Sequence, residues 1–403
     1  MSDSRAISGG VTAPAGFRAS GLHCGIKASG KPDLALLVSD AAATAAGIFT
    51  LNLAKAAPLL VCEEHLGKSG GRAVALVTNS GCANACTGPQ GMADAREMAQ
   101  LTASAVGCRV EETLIASTGV IGVNLKMDRL RSGIPQAVAA LSDEGGAAAA
   151  RAIMTTDPFP KEHAVEVTTS VGAFRVGGMA KGSGMIEPRM ATMLGYLTTD
   201  AAVDQAALAR ALTEASRYTF NAITVDGEPS TNDCVFALAN GASGVVIDED
   251  LYPALVDGFR AVAHELALGI VRGGEGATKL VAITVSGAAS DADAWLAARA
   301  IANSLLVKTA IHGADPNWGR LVAAAGRSGA AFVLEGARVQ IGSLVLFENG
   351  RPFDERAPHA ADYLMGKDLQ IEVGLGAGGS HRATVWTCDL SAEYVKINAE
   401  YRT

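Results

Sequence analysis

The sequence predicts a mixed α/β protein of more than one domain, on three observations. Strand-like and helical patterns alternate from end to end. The chain has 403 residues, and at about 100–200 residues per domain that length gives two or three domains. Hydrophobic residues make up 49% and charged residues 18%. That is enough apolar material for a large buried core and argues against global disorder.

Leu34–Ser39 and Arg72–Thr78 are apolar and β-rich, and read as strands. Gln90–Val106 has the Ala/Met/Leu period of a helix, with Pro89 near its start. Thr113–Ser117 reads as a short buried strand entering a loop, Thr118-Gly119-Val120-Ile121-Gly122. Lys126–Leu141 and Ala147–Met154 are helical by period, and Thr155-Thr156-Asp157-Pro158 ends the second. Val165–Ser170 and Phe174–Met179 flank Val171-Gly172-Ala173 as a hairpin. An apolar run, Met190–Leu197, follows Lys181-Gly182-Ser183-Gly184. Val203–Tyr218 and Leu251–Val271 are amphipathic helices. Between them Asn221–Val225 and Cys234–Ala239 read as strands. Leu280–Ser286 is a strand and Asp291–Ala302 a helix. From about Leu305 the chain reads as strand-rich, with one helix near Trp318–Ala325. The small polar residues of Ser286–Asp291 mark the expected boundary, giving domains of 1–286 and 287–403.

Composition narrows the function. The net charge is −8, with 33 basic and 41 acidic residues and no basic run, so neither nucleic acid nor an anionic membrane is an expected partner. The N-terminal segment lacks a basic region followed by an apolar one, and no apolar stretch approaches the roughly 20 residues of a membrane span. A soluble, cytoplasmic protein is expected. Seven cysteines without a CxxC pair predict free, mostly buried thiols. Cys82 and Cys86 are four apart, but no second ligand pair follows, so no metal is expected.

Two motifs are decoys. Gly374-Leu375-Gly376-Ala377-Gly378-Gly379 fits GxGxxG, but His381–Thr387 after it alternates like a strand, whereas a dinucleotide turn must open a helix. It reads as a Gly-rich hairpin. Gly67-Lys68-Ser69-Gly70-Gly71 fits GxSxG, yet a strand follows it rather than a helix, so it reads as a turn.

The stretch that carries chemistry is Lys181-Gly182-Ser183-Gly184-Met185-Ile186-Glu187-Pro188-Arg189-Met190-Ala191-Thr192-Met193-Leu194-Gly195. A threonine hydroxyl is a weak nucleophile at neutral pH. If the Ala191–Thr192 bond were cut, the new α-amino group, with a reference pKa of about 7.7–8.0, could act as base toward its own hydroxyl. The small Ala191 admits the close approach of an N-to-O acyl shift, and Gly182 and Gly184 permit a strained turn before it. An ordinary strand threonine is the plain alternative.

Long motifs along nearly the whole chain then carry a resemblance. They are Gly9-Gly10-Val11-Thr12-Ala13-Pro14, Ser117-Thr118-Gly119-Val120-Ile121-Gly122, Met154-Thr155-Thr156-Asp157, the Lys181–Ile186 and Met190–Leu194 stretches, and Gly274-Glu275-Gly276-Ala277-Thr278-Lys279. Val307–Gly313, Asp315–Arg320 and Ile397–Thr403 complete them. The sequence closely resembles the ornithine acetyltransferase family of arginine biosynthesis, also called glutamate N-acetyltransferases. It departs from the family where Glu187-Pro188-Arg189 stands for a frequent Ala-Pro-Asn, which adds two opposite charges near the expected scissile bond.

The resemblance implies a layered αββα core of the self-processing amidohydrolase type, with a smaller C-terminal α/β domain. It implies self-cleavage between Ala191 and Thr192 into an α chain of 1–191 and a β chain of 192–403, assembled as two of each. It casts Thr192 as nucleophile and Thr118 and Gly119 as oxyanion stabilisers. Substrate is bound by Thr156, Lys181, Thr192, Glu275, Asn398 and Thr403. The implied reaction is ping-pong transfer of acetyl from N2-acetyl-L-ornithine to L-glutamate, without metal or cofactor, with acetyl-CoA a co-substrate if the enzyme is bifunctional. Two other classes stay open: a related self-cleaving aminopeptidase or amidase that passes the acyl group to water, and a non-catalytic amino-acid-binding homologue.

Overall fold

The computed structural model describes residues 3–187 and 193–400. The chain divides into two compact units, one of residues up to 221 with 229–270, the other of 222–228 with residues from 271 on.

The first unit has nine strands: β1 (Asp3–Ile7), β2 (Phe17–Leu22), β3 (Leu34–Phe49), β4 (Arg72–Cys82), β5 (Thr113–Val120), β6 (Lys161–Thr169), β7 (Gly172–Lys181), β8 (Leu194–Thr199) and β9 (Cys234–Ala239). Its helices are α1 (Ala57–Ser69), α2 (Gly88–Val106), α3 (Met127–Ala139), α4 (Gly146–Ala152), α5 (Gln205–Arg217) and α6 (Tyr252–Arg272). Local chemistry sets their ends. Pro58 and Pro89 open α1 and α2, and Gly70 and Gly107 close them in the left-handed region. Asp204 caps α5 by accepting from the Ala207 N–H at 2.9 Å.

The strand order is β1-β6-β7-β8-β9-β3-β4-β5, with β2 also on β3. β4–β5 and β8–β9 are parallel, and the other pairs antiparallel. β3 changes partners along its length: its first half pairs with β2 and its second with β9. The sheet therefore cannot be flat. β5 and β7 are five positions apart, which at roughly 4.8 Å per strand would separate them by about 24 Å. Yet the Lys181 ammonium of β7 donates to the Thr118 hydroxyl of β5 at 3.2 Å. Likewise Thr78 of β4 and Tyr196 of β8 share a hydrogen bond of 2.8 Å. The sheet folds back at β3 into two facing layers, and one core holds Leu36, Leu76 and Ile115 together with Met179, Tyr196 and Phe236. Outside the layers, α1 and α2 lie on β5 and α4 on β2 and β3. α6 lies so close to β7 that a Cβ at Gly178 would come 2.8 Å from Val262. This is the αββα arrangement.

The second unit has a six-stranded sheet made of β10 (Leu280–Ala288), β11 (Arg338–Ile341), β12 (Leu344–Glu348), β13 (Arg351–Pro352), β14 (Asp368–Gly374) and β15 (His381–Cys388). The order is β13-β12-β11-β14-β10-β15. Helices α7 (Asp291–Ala302), α8 (Leu305–His312), α9 (Trp318–Gly326), α10 (Ala357–Leu364) and α11 (Ala392–Glu400) complete it. Its own core includes Ile283, Ile301, Val339, Ile371 and Val385.

Several expectations need correction. The break at 286/287 would cut β10, whose residues pair with both β14 and β15, so the division lies at 270/271 instead. Asn221–Val225 is not a strand: Phe220–Ala222 is a 3-10 turn, and Ile223 makes only an isolated bridge to Trp386. From Leu305 on, the described residues include four α-helices rather than one. Gly374–Gly379 opens no helix, as expected, but it is no hairpin either. β14 and β15 lie on opposite sides of β10. The seven cysteines are free, and four are buried. Among the described residues, no helix is long and apolar enough to cross a membrane.

Candidate active site

Thr118 and Gly119 lie within β5, not in a loop beyond it. Gly119 pairs with Gly81 of β4, and its φ is +129°. A Cβ there would sit 2.4 Å from the Gly81 carbonyl carbon and 2.6 Å from the Cys82 nitrogen. Only glycine permits both that conformation and that approach. Asn232, just before β9, donates to the carbonyls of Ala83 at 2.6 Å and Ser117 at 2.9 Å, which fixes the chain on either side of this pairing.

Lys181 ends β7 with its side chain buried, and its ammonium donates to Thr118 Oγ1. An oxygen that accepts from a cation must aim its own proton elsewhere. Lys181 thus orients the Thr118 hydroxyl as a donor away from itself.

Below this pair is a buried charge cluster. Asp157 Oδ1 accepts from Lys161 Nζ at 2.6 Å and from the Gly182 N–H at 2.7 Å, and Oδ2 accepts from the Thr155 N–H at 2.9 Å. Burial pushes the Asp157 carboxyl up, but the Lys161 and Lys181 charges and these hydrogen bonds outweigh it and hold it below the usual carboxylate range. Lys27 donates to the carbonyls of Pro32 and Met154, both at 2.7 Å. Burial brings Lys27 down to about 8, against the pull of Asp33 and Asp157. Asp33 is fully buried and accepts from the N–H groups of Cys24, Gly25, Ile26 and Lys27. Asp233 is also buried, just before β9, and accepts from the Ser230 N–H at 3.0 Å. Burial pushes its carboxyl well above the usual range, against that hydrogen bond and the Lys181 charge.

The second unit holds a separate group. Glu275 is buried, and its Oε2 accepts from Asn398 Nδ2 of α11 at 2.8 Å. Gly276 has φ +68°, and its carbonyl accepts from Ser391 Oγ at 2.6 Å. Asp389 gathers Thr278 N at 2.7 Å, Thr278 Oγ1 at 2.6 Å, Lys279 N at 2.9 Å and His312 Nδ1 at 2.7 Å. Lys308 is buried and donates to Thr387 Oγ1 at 2.8 Å and to the Cys388 carbonyl.

Of the residues singled out in the sequence, Thr118, Gly119 and Lys181 meet in the first unit, and Thr156 precedes the Asp157 that tethers Gly182. Glu275 and Asn398 meet in the second. Ala191, Thr192 and Thr403 lie outside the described residues. On the near side of residues 188–192 the Gly182 N–H is held by Asp157, and on the far side the Met193 carbonyl accepts from the Cys234 N–H at 2.9 Å. Sequence reasoning missed the supporting charges Asp157, Lys161, Lys27, Asp233 and Asp389. The one hint was an Asp and a Lys four residues apart around Pro158 and Pro160, in a segment where no helix would bring them together.

The family model described as ArgJ matches residues 18–403. The arginine biosynthesis bifunctional protein ArgJ of Symbiobacterium thermophilum is 52% identical over 404 residues, covering 98% of this chain and 99% of that protein. The protein of the same description from a Synechococcus strain is 50% identical over 410 residues, covering 98% of each. Among solved structures, ornithine acetyltransferase of Mycobacterium tuberculosis in complex with ornithine is 44% identical, with a TM-score of 0.44. That match covers 47% of this chain and all of that one. On the family match and the two full-length relatives, the chain belongs to the ArgJ family.

Proposed function

We propose that this chain is an acetyltransferase of arginine biosynthesis that moves acetyl from N2-acetyl-L-ornithine to L-glutamate through an acetyl-threonine at Thr192. The observation that carries the reading is the buried Lys181-to-Thr118 hydrogen bond beside the Gly81–Gly119 backbone contact. It directs a hydroxyl proton outward from a preorganised, water-poor strand end, the kind of donor that acyl transfer requires.

The steps follow. The chain cleaves itself between Ala191 and Thr192, and the new amino group takes the Thr192 hydroxyl proton. The oxygen attacks the acetyl carbonyl carbon, and the developing oxyanion is stabilised by Thr118 and Gly119. Ornithine leaves as the amine, and the glutamate amino group then attacks the ester and restores Thr192. Thr156, Lys181, Glu275, Asn398 and Thr403 bind the amino-acid substrates. Lys181 offers a cation for a carboxylate and Glu275 an anion for an amino group. The cycle needs no metal or organic cofactor, and acetyl-CoA serves as a second donor if the enzyme is bifunctional. The working form is two α and two β chains in the cytoplasm.

Incubation with N2-acetylornithine and labelled glutamate tests this. Labelled N-acetylglutamate is expected. Release of acetate alone would favour the amidase reading, and no acetyl on Thr192 at all would favour a binding homologue.

A further inference from the structure

The buried charge cluster suggests a role that neither the motif nor the acyl-transfer chemistry assigns. Asp157 is buried, and its two oxygens tie its own loop and the start of β6 to the residue after β7. Oδ2 holds the Thr155 N–H at the start of the loop that carries Thr156, while Oδ1 holds both the Gly182 N–H and Lys161 at the first residue of β6. At the same end the loop is also clamped by Lys27, which donates to the carbonyl of the preceding Met154 at 2.7 Å. Gly182 follows Lys181 directly, so its tether fixes where β7 ends and in which direction the chain leaves toward residue 192. We propose that Asp157 is a positioning residue: its carboxylate sets Thr156 and the Lys181-Gly182 turn in one geometry, and so governs both self-cleavage and donor binding. The proposal rests on the acyl-transfer reading above.

Charge balance is the competing account, since Asp157 could serve only to neutralise Lys161. The two accounts separate by substitution. An asparagine at 157 offers one acceptor and one donor group. Facing its oxygen toward Gly182 and Lys161 turns its amide donors on the Thr155 N–H, and the reverse loses Gly182. One tether is lost either way. The double variant Asp157→Asn with Lys161→Met removes one buried anion together with one buried cation, so the net charge of the cluster is kept while the tether is lost.

The experiment follows self-cleavage by denaturing mass analysis and acetyl transfer by steady-state kinetics, on variants whose folding is checked by thermal unfolding. Lys161→Met alone should cleave within about threefold of wild type and keep its KM for N2-acetylornithine. The double variant should cleave about tenfold or more slowly, as misplaced reacting groups do. Once cleaved, it should show a KM raised about fivefold, with kcat less affected. A folded double variant with wild-type cleavage and KM would overturn the proposal. Thr192→Ala is run alongside. If it stays active, the nucleophile reading falls, while the KM comparison still decides on Asp157.

Discussion

Two aspartates organise the two units by different means. Asp157 and its partner Lys161 are both almost fully buried, with side-chain exposures of 0% and 2%. The Asp389 side chain is equally hidden, but its partner His312 is 42% exposed. The first is paired with an ammonium that must stay charged to be useful. The second is bonded by an imidazole that can donate through Nδ1 without a charge, and it collects two backbone N–H groups besides. Geometry near the expected cleavage point thus depends on permanent charges shut away from water, whereas the Glu275 loop is held by a hub that water can reach. Substitutions in the first should be the more damaging.

The largest effect is expected at Asp157→Ala. Removing one partner leaves Lys161 buried and uncompensated, a change that costs about 3–5 kcal/mol. Asp389→Ala strands two backbone donors and the Thr278 hydroxyl beside partly accessible surface, and should cost about 1–3 kcal/mol. Denaturant unfolding of both variants checks the order. An Asp389 variant as damaged as the Asp157 one would break the contrast.

The glycines give a second comparison. Gly119→Ala meets backbone on the paired strand at a φ of +129°, and should cost about 3 kcal/mol or more, since strain and clash add. Gly276→Ala would place a Cβ 2.5 Å from the Tyr394 nitrogen, at φ +68°. That conformation is the left-handed one open to other residues, and the helix it meets, α11, has only nine residues. A cost of about 1 kcal/mol is expected there. Thermal melts measure both, and equal losses would show that α11 is as firmly held as β4.

How far the sequence reveals these features depends on what sets each one. Cys234–Ala239 and Asp291–Ala302 are strand and helix to the residue, because an unbroken apolar run and a Ser290 cap with two following aspartates are local signals. The second half of β3 is Asp40 to Gly47 in small residues of weak β preference, and its pairing with β9 is a tertiary fact. Leu305–His312 is apolar and β-branched enough to read as strand, yet Ser304 caps it into α8. The residues proposed for acyl transfer are legible as motifs. The charges that hold them are not, because Asp157 reaches Gly182 across 25 positions and Thr118 reaches Lys181 across 63.

Acid separates the units by a smaller amount. Burial pushes Asp389 up, but the hydrogen bonds from Thr278, His312 and Lys279 outweigh it, so its folded pKa lies below the ordinary value of 3.8. A depressed carboxylate adds stability that is present above the unfolded pKa and is lost as pH falls through the folded one. Asp33 and Asp157 are depressed as well. The stability these three carboxylates supply should therefore hold down to about pH 4 and fall below it. Asp389→Asn should flatten part of that acid limb when unfolding is followed against pH. An unchanged slope would mean that the carboxylates of the first unit account for all of it.

The smallest change in stability is expected at Asn398. Its side chain is on the exposed face of α11, bonded to Glu275 Oε2 at 2.8 Å and to the Tyr394 carbonyl at 3.0 Å. Losing such bonds where water can replace them should cost under about 1 kcal/mol. Glu275 would keep its place in the loop pinned by Ser391 and Asp389, while its carboxylate would lose the hydrogen bond from Asn398. If Glu275 receives the amino group of the substrate, Asn398→Ala should raise KM for N2-acetylornithine several-fold at nearly unchanged melting temperature. That split between a quiet stability and a shifted KM is the reverse of what Asp389→Ala should give, where the loop itself is loosened. An unchanged KM would remove Asn398 from substrate binding and leave it as a support for the chain end.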